Sequence, residues 1–215
     1  MRVQRAAATN EALLDGQGAP WAKIEEREIT LVPSPAVMAM EVSRLMALSQ
    51  GHGAVKAVSA RMAHNGETLS IRVSWEDPRR DDRISDLDRF ADGAAVVFPL
   101  LEDANPLTMG DDAKPVNAWL WRADRAEPFD VIARGFSTSQ RRPASASGLA
   151  ARGQHHDGKW VVVFQRPLRP GGEDFAHFQP GGSAKVSFAV WDGSNAERAG
   201  QKAISGVFID LELDR

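Results

Sequence analysis

Phe188-Ala-Val-Trp-Asp-Gly-Ser-Asn-Ala-Glu-Arg-Ala-Gly-Gln-Lys-Ala-Ile-Ser205 reads as strand, punctuated loop, strand. Val186, Phe188 and Val190 fall on one face, and Lys185, Ser187, Ala189 and Trp191 on the other, as the two-residue period of a strand requires. Asp192-Gly193 turns the chain, and a polar loop carries Asn195, Glu197 and Arg198 to Gly200 and Lys202. Ala203 opens a last strand in which Val207, Ile209, Leu211 and Leu213 share a face. One lysine is thus held on a short loop between two core-bound strands. An arbitrary loop lysine is solvated, and on this stretch alone Lys202 reads so.

The alternation recurs upstream. Val58, Ala60 and Met62 alternate with polar residues up to Asn65-Gly66, and Leu69, Ile71, Val73 and Trp75 alternate after it. Asn-Gly between two such runs is a strong hairpin signal. Further strands are expected at about 94–101, 117–123 and 129–137. Residues 159–168 carry apolar side chains on both faces, which suits a central strand. Residues 26–32 read as an edge strand stopped by Pro33 and Pro35. A short helix is expected over 36–50, closed by Gly51-His-Gly53. Residues 1–25 read as an extended, partly mobile lead-in anchored by Trp21, and 138–157 as mostly loop. Many short strands and little helix give an all-β fold, an antiparallel β-sandwich, with residues 1–215 as a single domain.

Composition excludes whole classes. A net charge of -3 and a pI near 6.0 leave no footprint for nucleic acid. No apolar run approaches the roughly 20 residues of a membrane span, and no secretory signal is visible at the start. Cysteine is absent, so this chain holds no disulfide, thiolate zinc site, iron–sulfur cluster or covalently attached c-type haem.

A second stretch, Phe98-Pro-Leu-Leu-Glu-Asp-Ala-Asn-Pro-Leu-Thr-Met-Gly-Asp-Asp-Ala-Lys-Pro-Val-Asn-Ala-Trp-Leu-Trp-Arg122, alters the reading of Lys202. Phe98-Pro99, Met109-Gly110-Asp111, Pro115-Val116-Asn117 with Trp119 and Trp121, Gly158-Lys-Trp160, Arg166-Pro-Leu168 and the run from Phe188 to Ser205 occur in one order. This ordered set resembles the haem b (gamma) subunits of the type II branch of the DMSO reductase family. Ethylbenzene dehydrogenase, dimethylsulfide dehydrogenase, selenate reductase and chlorate reductase belong to that branch. The likeness covers most of the chain from about Trp75 onward, and the set is specific where a lone Met-Gly-Asp is not.

The resemblance implies a non-covalent haem b held between the sheets or at their rim, with Met109 and Lys202 as axial ligands of the iron. A thioether is a soft donor that raises the potential. A lysine amine binds only when neutral, which burial promotes. Without the resemblance, Met109 is a loop residue packed on the core and Lys202 is solvated. Lys185 is the rival lysine, but it precedes the motif and lies opposite the apolar face. Met38, Met40, Met46 and Met62 read as packing residues. The five histidines, His52, His64, His155, His156 and His177, all read as solvated and fall in no matched motif. The aspartates from Asp77 to Asp92 could suggest a calcium loop, but EF-hand spacing is missing, and interleaved Arg79, Arg80, Arg83 and Arg89 make a self-paired solvated segment the simpler account.

The resemblance further implies a non-catalytic electron-transfer subunit of a molybdenum-containing oxidoreductase. It would be periplasmic, working with a molybdopterin catalytic subunit and an iron–sulfur subunit. It would relay electrons to or from a soluble carrier such as a c-type cytochrome. The rival class is a carbohydrate-type ligand-binding β-sandwich module, with the six tryptophans as stacking platforms.

Overall fold

A computed structural model describes residues 1–35, 51–84, 86 and 88–215. The Asn65-Gly66 signal gives its hairpin. β4 (Ala57–His64) and β5 (Thr68–Glu76) pair antiparallel, and Gly66 takes the positive φ of the turn. β5 pairs with β11 (Lys159–Pro167), and β11 with β10 (Ala150–His156), completing one layer. The other layer runs β12 (Ser183–Trp191), β6 (Gly93–Pro99), β7 (Val116–Arg122), β8 (Phe129–Ala133) and β9 (Gln140–Pro143), each antiparallel to its neighbour.

Two terminal strands join the layers. β1 (Arg2–Arg5) runs parallel to β14 (Ile209–Leu213) at Arg2 and Val3, then parallel to β4 at Gln4 and Arg5. β14 in turn pairs antiparallel with β12. β2 (Arg27–Thr30) covers the rest of the β4 edge, while β13 (Ala203–Ile204) pairs with β12 and with β3 (Val32–Pro33). The fold is an all-β, mainly antiparallel sandwich. Among the described residues its one α-helix is α1 (Asn10–Leu14).

Aromatic side chains fill the space between the layers. Trp121 of β7 meets Trp160 of β11 with ring centres 4.9 Å apart, while Phe98 and Trp119, tilted against each other, both meet Phe178 edge to face. Arg166, fully buried, reaches from β11 to Asn117 Oδ1 at 2.9 Å and Asp130 Oδ2 at 3.4 Å, and it donates to the Ala176 carbonyl. Its guanidinium lies 4.7 Å from the centre of the Trp119 ring. Asn117, Trp119, Trp121, Trp160 and Arg166, all motif residues, therefore form the joint between the layers.

Three expectations differ from the structure. The 138–157 loop contains β9 and β10. The sequence of β10, Ala-Ala-Arg-Gly-Gln-His-His, has weak strand propensity, yet all seven residues pair with the strongly apolar β11. Gly153 within it has no side chain because the Trp121 indole occupies that space. The lead-in is not simply extended: it contains β1, α1 and a 3-10 turn (Ala19–Lys23). Trp21 is indeed its anchor, buried with Leu13, Ile24, Ala63 and Val163, its indole donating to the Leu13 carbonyl at 3.1 Å. The last strand is split into β13 and β14 by Gly206, which has a φ of 74°, and Val207 points outward, 62% exposed. The helix expected over 36–50, with Met38, Met40 and Met46, lies outside the described residues.

Candidate functional site

The outward face of the second layer is apolar too, with small side chains over much of it and Leu120 and Trp191 beside them. Where Val96, Trp119 and Phe188 point inward, Ala95 and Val97 of β6, Ala118 of β7, Val131 of β8 and Ala189 of β12 point the other way. An outer sheet face is normally polar. Here loops cover it instead, enclosing a cavity of about 530 Å³ with these residues as its floor. That volume lies within the range of cofactor sites.

Both Met109 and Lys202 line this cavity. Met109 sits between β6 and β7 with a φ of 61°, and Gly110 follows at 76°. Left-handed backbone at a residue other than glycine is uncommon and carries strain. Neighbouring bonds hold it. Met109 donates to the Pro106 carbonyl at 3.3 Å, and its own carbonyl accepts from Gly135 at 3.1 Å. Gly110 passes so close to the Lys114 carbonyl oxygen that a Cβ would collide with it. Asp111 closes the turn by accepting from the Ala113 and Lys114 amides at 2.9 and 2.8 Å. Within Met-Gly-Asp, then, Met109 brings the thioether, Gly110 permits the close backbone approach and Asp111 closes the turn. Gly110→Ala is expected to displace this loop and lower the unfolding temperature of the chain. An unchanged unfolding temperature would show that the loop tolerates the collision.

Lys202 is buried by its loop. Ser34 brackets it, donating to the Lys202 carbonyl at 2.9 Å while its hydroxyl donates to Gly200 at 2.5 Å and accepts from the Lys202 amide at 3.3 Å. Glu197, expected on a solvated loop, is buried instead. It accepts from the Gly53 and Ala54 amides at 2.6 and 2.9 Å and from the Asp192 amide at 3.1 Å. No carboxylate pairs with Lys202 among the described residues, and its amine lies 5.3 Å from the centre of the Trp191 ring. Burial alone pushes that amine down to about 8.

Lys185 does not line the cavity. It is half-exposed and lies 3.8 Å from Asp210. No histidine lines it either. His64, expected to be solvated, is wholly buried, its Nδ1 accepting from Gly66 and its Nε2 donating to the Asp214 carbonyl. Met62 packs in the core.

The cavity does not lie in the space between the layers, which the tryptophans and Arg166 fill. It lies over the outer face of β12, β6, β7 and β8, beneath the loops around Met109, Gly135 and Lys202, with Phe136 close to Gly200. Sequence reasoning missed its floor. The available signal was a set of strands with small apolar residues on the face away from the core. Arg141 and Arg198 also line the cavity and add positive charge.

Comparisons with known proteins bear on the family and the fold. The family model described as "Ethylbenzene dehydrogenase" matches residues 19–149 and 143–203. Chlorate reductase subunit gamma of Ideonella dechloratans is 33% identical over 191 residues, 88% of this chain and 75% of that one. Dimethylsulfide dehydrogenase subunit gamma of Rhodovulum sulfidophilum is 32% identical over 191 residues, covering 86% and 69%. A Haloferax mediterranei protein, ORF7, proposed by its name to be a respiratory nitrate reductase heme subunit, is 36% identical over 152 residues. The match takes in 70% of this chain and about half of that relative, 54%. Among solved structures, a carbohydrate binding module family 9 from Caldicellulosiruptor kristjanssonii in complex with glucose superposes with a TM-score of 0.53 at 10% identity, covering 100% of this chain and 97% of that one. That likeness is one of fold alone. The chain belongs to the family that the ethylbenzene dehydrogenase model describes, alongside the gamma subunits of chlorate reductase and dimethylsulfide dehydrogenase.

Proposed function

We propose that this chain is the haem b subunit of a molybdenum-containing oxidoreductase, with Met109 and Lys202 as the axial ligands of a non-covalent haem. The observation that carries the reading is that two donors far apart in sequence line one apolar cavity, and that one of them is a buried amine with no carboxylate partner among the described residues. The lining suits the group. Its floor of alanine and valine, with Leu120 and Trp191, is apolar and disfavours water, a soft thioether favours reduced iron, and an amine already brought to about 8 surrenders its proton readily. Arg141 and Arg198 are the cations available to its carboxylates. Haem, when bound, supplies a one-electron couple.

The chain would be an electron-transfer subunit without substrate chemistry of its own. It would pass electrons between an iron–sulfur partner and an external carrier such as a c-type cytochrome, with a molybdopterin subunit doing the catalysis, in the periplasm. The gamma-subunit names of its relatives support this reading. No described helix is long and apolar enough to cross a membrane.

The ligand assignment is tested by comparing three variants by absorption and EPR. Lys202→Ala is expected to lose the low-spin ferric signal, and Met109→Ala to lower the potential and admit carbon monoxide. Lys185→Ala should match the parent, and acid–acetone should extract all haem, with a b-type pyridine haemochrome. Loss of the low-spin signal in Lys185→Ala alone would overturn the assignment, and haem that stays on the polypeptide would overturn the cofactor.

A further inference from the structure

We propose that Asp77, Asp92 and Asp192 form a binding site for a hard divalent cation of the calcium class. The three lie at strand ends drawn from both layers. Asp77 directly follows β5, Asp92 directly precedes β6, and Asp192 directly follows β12 at the root of the Lys202 loop. One carboxylate oxygen from each lies within 4.8 Å of the others. Ligands on opposite sides of a calcium ion, at bond lengths of 2.3–2.6 Å, are about 4.6–5.2 Å apart. The donors are all oxygen, which selects a hard cation over zinc or copper.

The surroundings argue against a plain acidic patch. Asp77 and Asp92 are 3% and 0% exposed. None of the three carboxylates pairs with a lysine or arginine among the described residues. Asp92 is held in place by three donors: the Asp81 amide and the Trp160 indole at 2.8 Å, and the Gly193 amide at 2.9 Å. Asp192 is oriented by accepting from Asn195 and Ser194. Asp77 has one oxygen accepting from the Arg79 amide, while its buried Oδ2 makes no hydrogen bond of normal geometry, the Trp75 indole N–H being the one donor that faces this carboxylate. Asp81, a fourth carboxylate outside the trio, likewise has a buried, unpartnered Oδ2. Buried carboxylate oxygens without donors are costly and rare. Burial and the neighbouring Asp92 charge raise Asp77 to about 7, and burial raises Asp92 to about 6. A bound cation removes that repulsion. The competing arrangement is a proton held within the cluster.

The expected solvated, self-paired account of this segment therefore holds only at its surface. Arg80 pairs with Asp82 at 3.0 Å, and Arg79 lies 3.7 Å from Asp81 Oδ1. The buried aspartates face inward. A cation there would tie β5 of one layer to β6 and β12 of the other.

The test uses the full chain freed of metal with a chelating resin. Calorimetric titration with calcium chloride is expected to show one site, and calcium to raise the unfolding temperature in a concentration-dependent way. Terbium should occupy the same place. With the Trp160 indole hydrogen-bonded to Asp92, excitation of tryptophan should raise terbium emission several-fold, and calcium should reverse the rise. Asp77→Asn and Asp192→Asn should each abolish both responses. A parent chain showing neither a calcium heat nor a calcium-dependent unfolding temperature overturns the proposal, whatever the variants do. Unchanged calcium binding in Asp77→Asn also overturns it. A cluster held by a shared proton would instead make Asp77→Asn more stable than the parent, with no calcium effect in either. These readouts concern the cluster alone, so haem b can fail in the cavity without affecting them, and the converse holds.

Discussion

Lys202→Met is expected to stabilise the chain without haem while it removes the low-spin signature of the chain with haem. The first half follows from the amine's surroundings. Burial lowers Lys202 from 10.5 to about 8, so at pH 7 the folded chain holds a charge that the site disfavours. The difference corresponds to roughly 3 kcal/mol. Methionine is unbranched and fills the same space without a charge. The unfolding temperature of the haem-free chain should therefore rise by up to about 10 °C. The pH dependence carries the sign. Below about 8 the lysine is protonated both folded and unfolded, and the penalty is full. Between about 8 and 10.5 only the unfolded chain holds the proton, so the parent gains stability as pH rises. Above 10.5 parent and variant should converge. A gap that does not change with pH would mean that the substitution acts by packing, and a less stable variant at pH 7 would mean that the amine is not disfavoured. Such a residue weakens its own fold in the absence of the group it is proposed to bind, a pattern typical of functional sites.

The strands and the site differed in how far the sequence revealed them. The hairpin at Asn65-Gly66 and the central position of β11 were legible, because turn chemistry and apolar periodicity are local. β10 was not, because its own residues are weak strand formers and its pairing is imposed by β11. The motifs pointed to Met109 and Lys202 by resemblance, but not to the cavity they share. Its position depends on which face of β6, β7, β8 and β12 carries the small residues and on loops folding over that face. The burial of Lys202 depends on Ser34, and that of Glu197 on the amides of Gly53 and Ala54. No local pattern links these segments. The aspartate cluster was hidden for a related reason. Arg79, Arg80, Arg83 and Arg89 make the run from Asp77 to Asp92 look self-neutralised, while its partner, Asp192, follows a strand far along the chain.

Asp130→Ala is expected to cost more than Arg166→Met, by a margin large enough to decide how the layers are joined. Arg166 is fully buried, and burial lowers it to about 10 against the attraction of Asp130. Removing Asp130 leaves the guanidinium with no anionic partner, only neutral ones: the Asn117 side chain, the Ala176 carbonyl and the Trp119, Phe175 and Phe178 rings. An uncompensated buried charge of this kind costs about 3–5 kcal/mol. Asp130 is better provided for. Besides Arg166 it accepts from Arg142 at 2.5 Å, Ser147 at 2.6 Å and Asn117 at 2.7 Å. Arg166→Met should leave that carboxylate still paired, at a cost of about 1–3 kcal/mol. Urea unfolding of both single variants and the double variant gives the comparison. The double variant should cost less than the sum, because each single change strands the group that the other removes. If Arg166→Met cost as much as Asp130→Ala, Asp130 would depend on Arg166 as fully as Arg166 depends on it. The joint would then be a simple ion pair, and Arg142 and Ser147 would carry none of its charge.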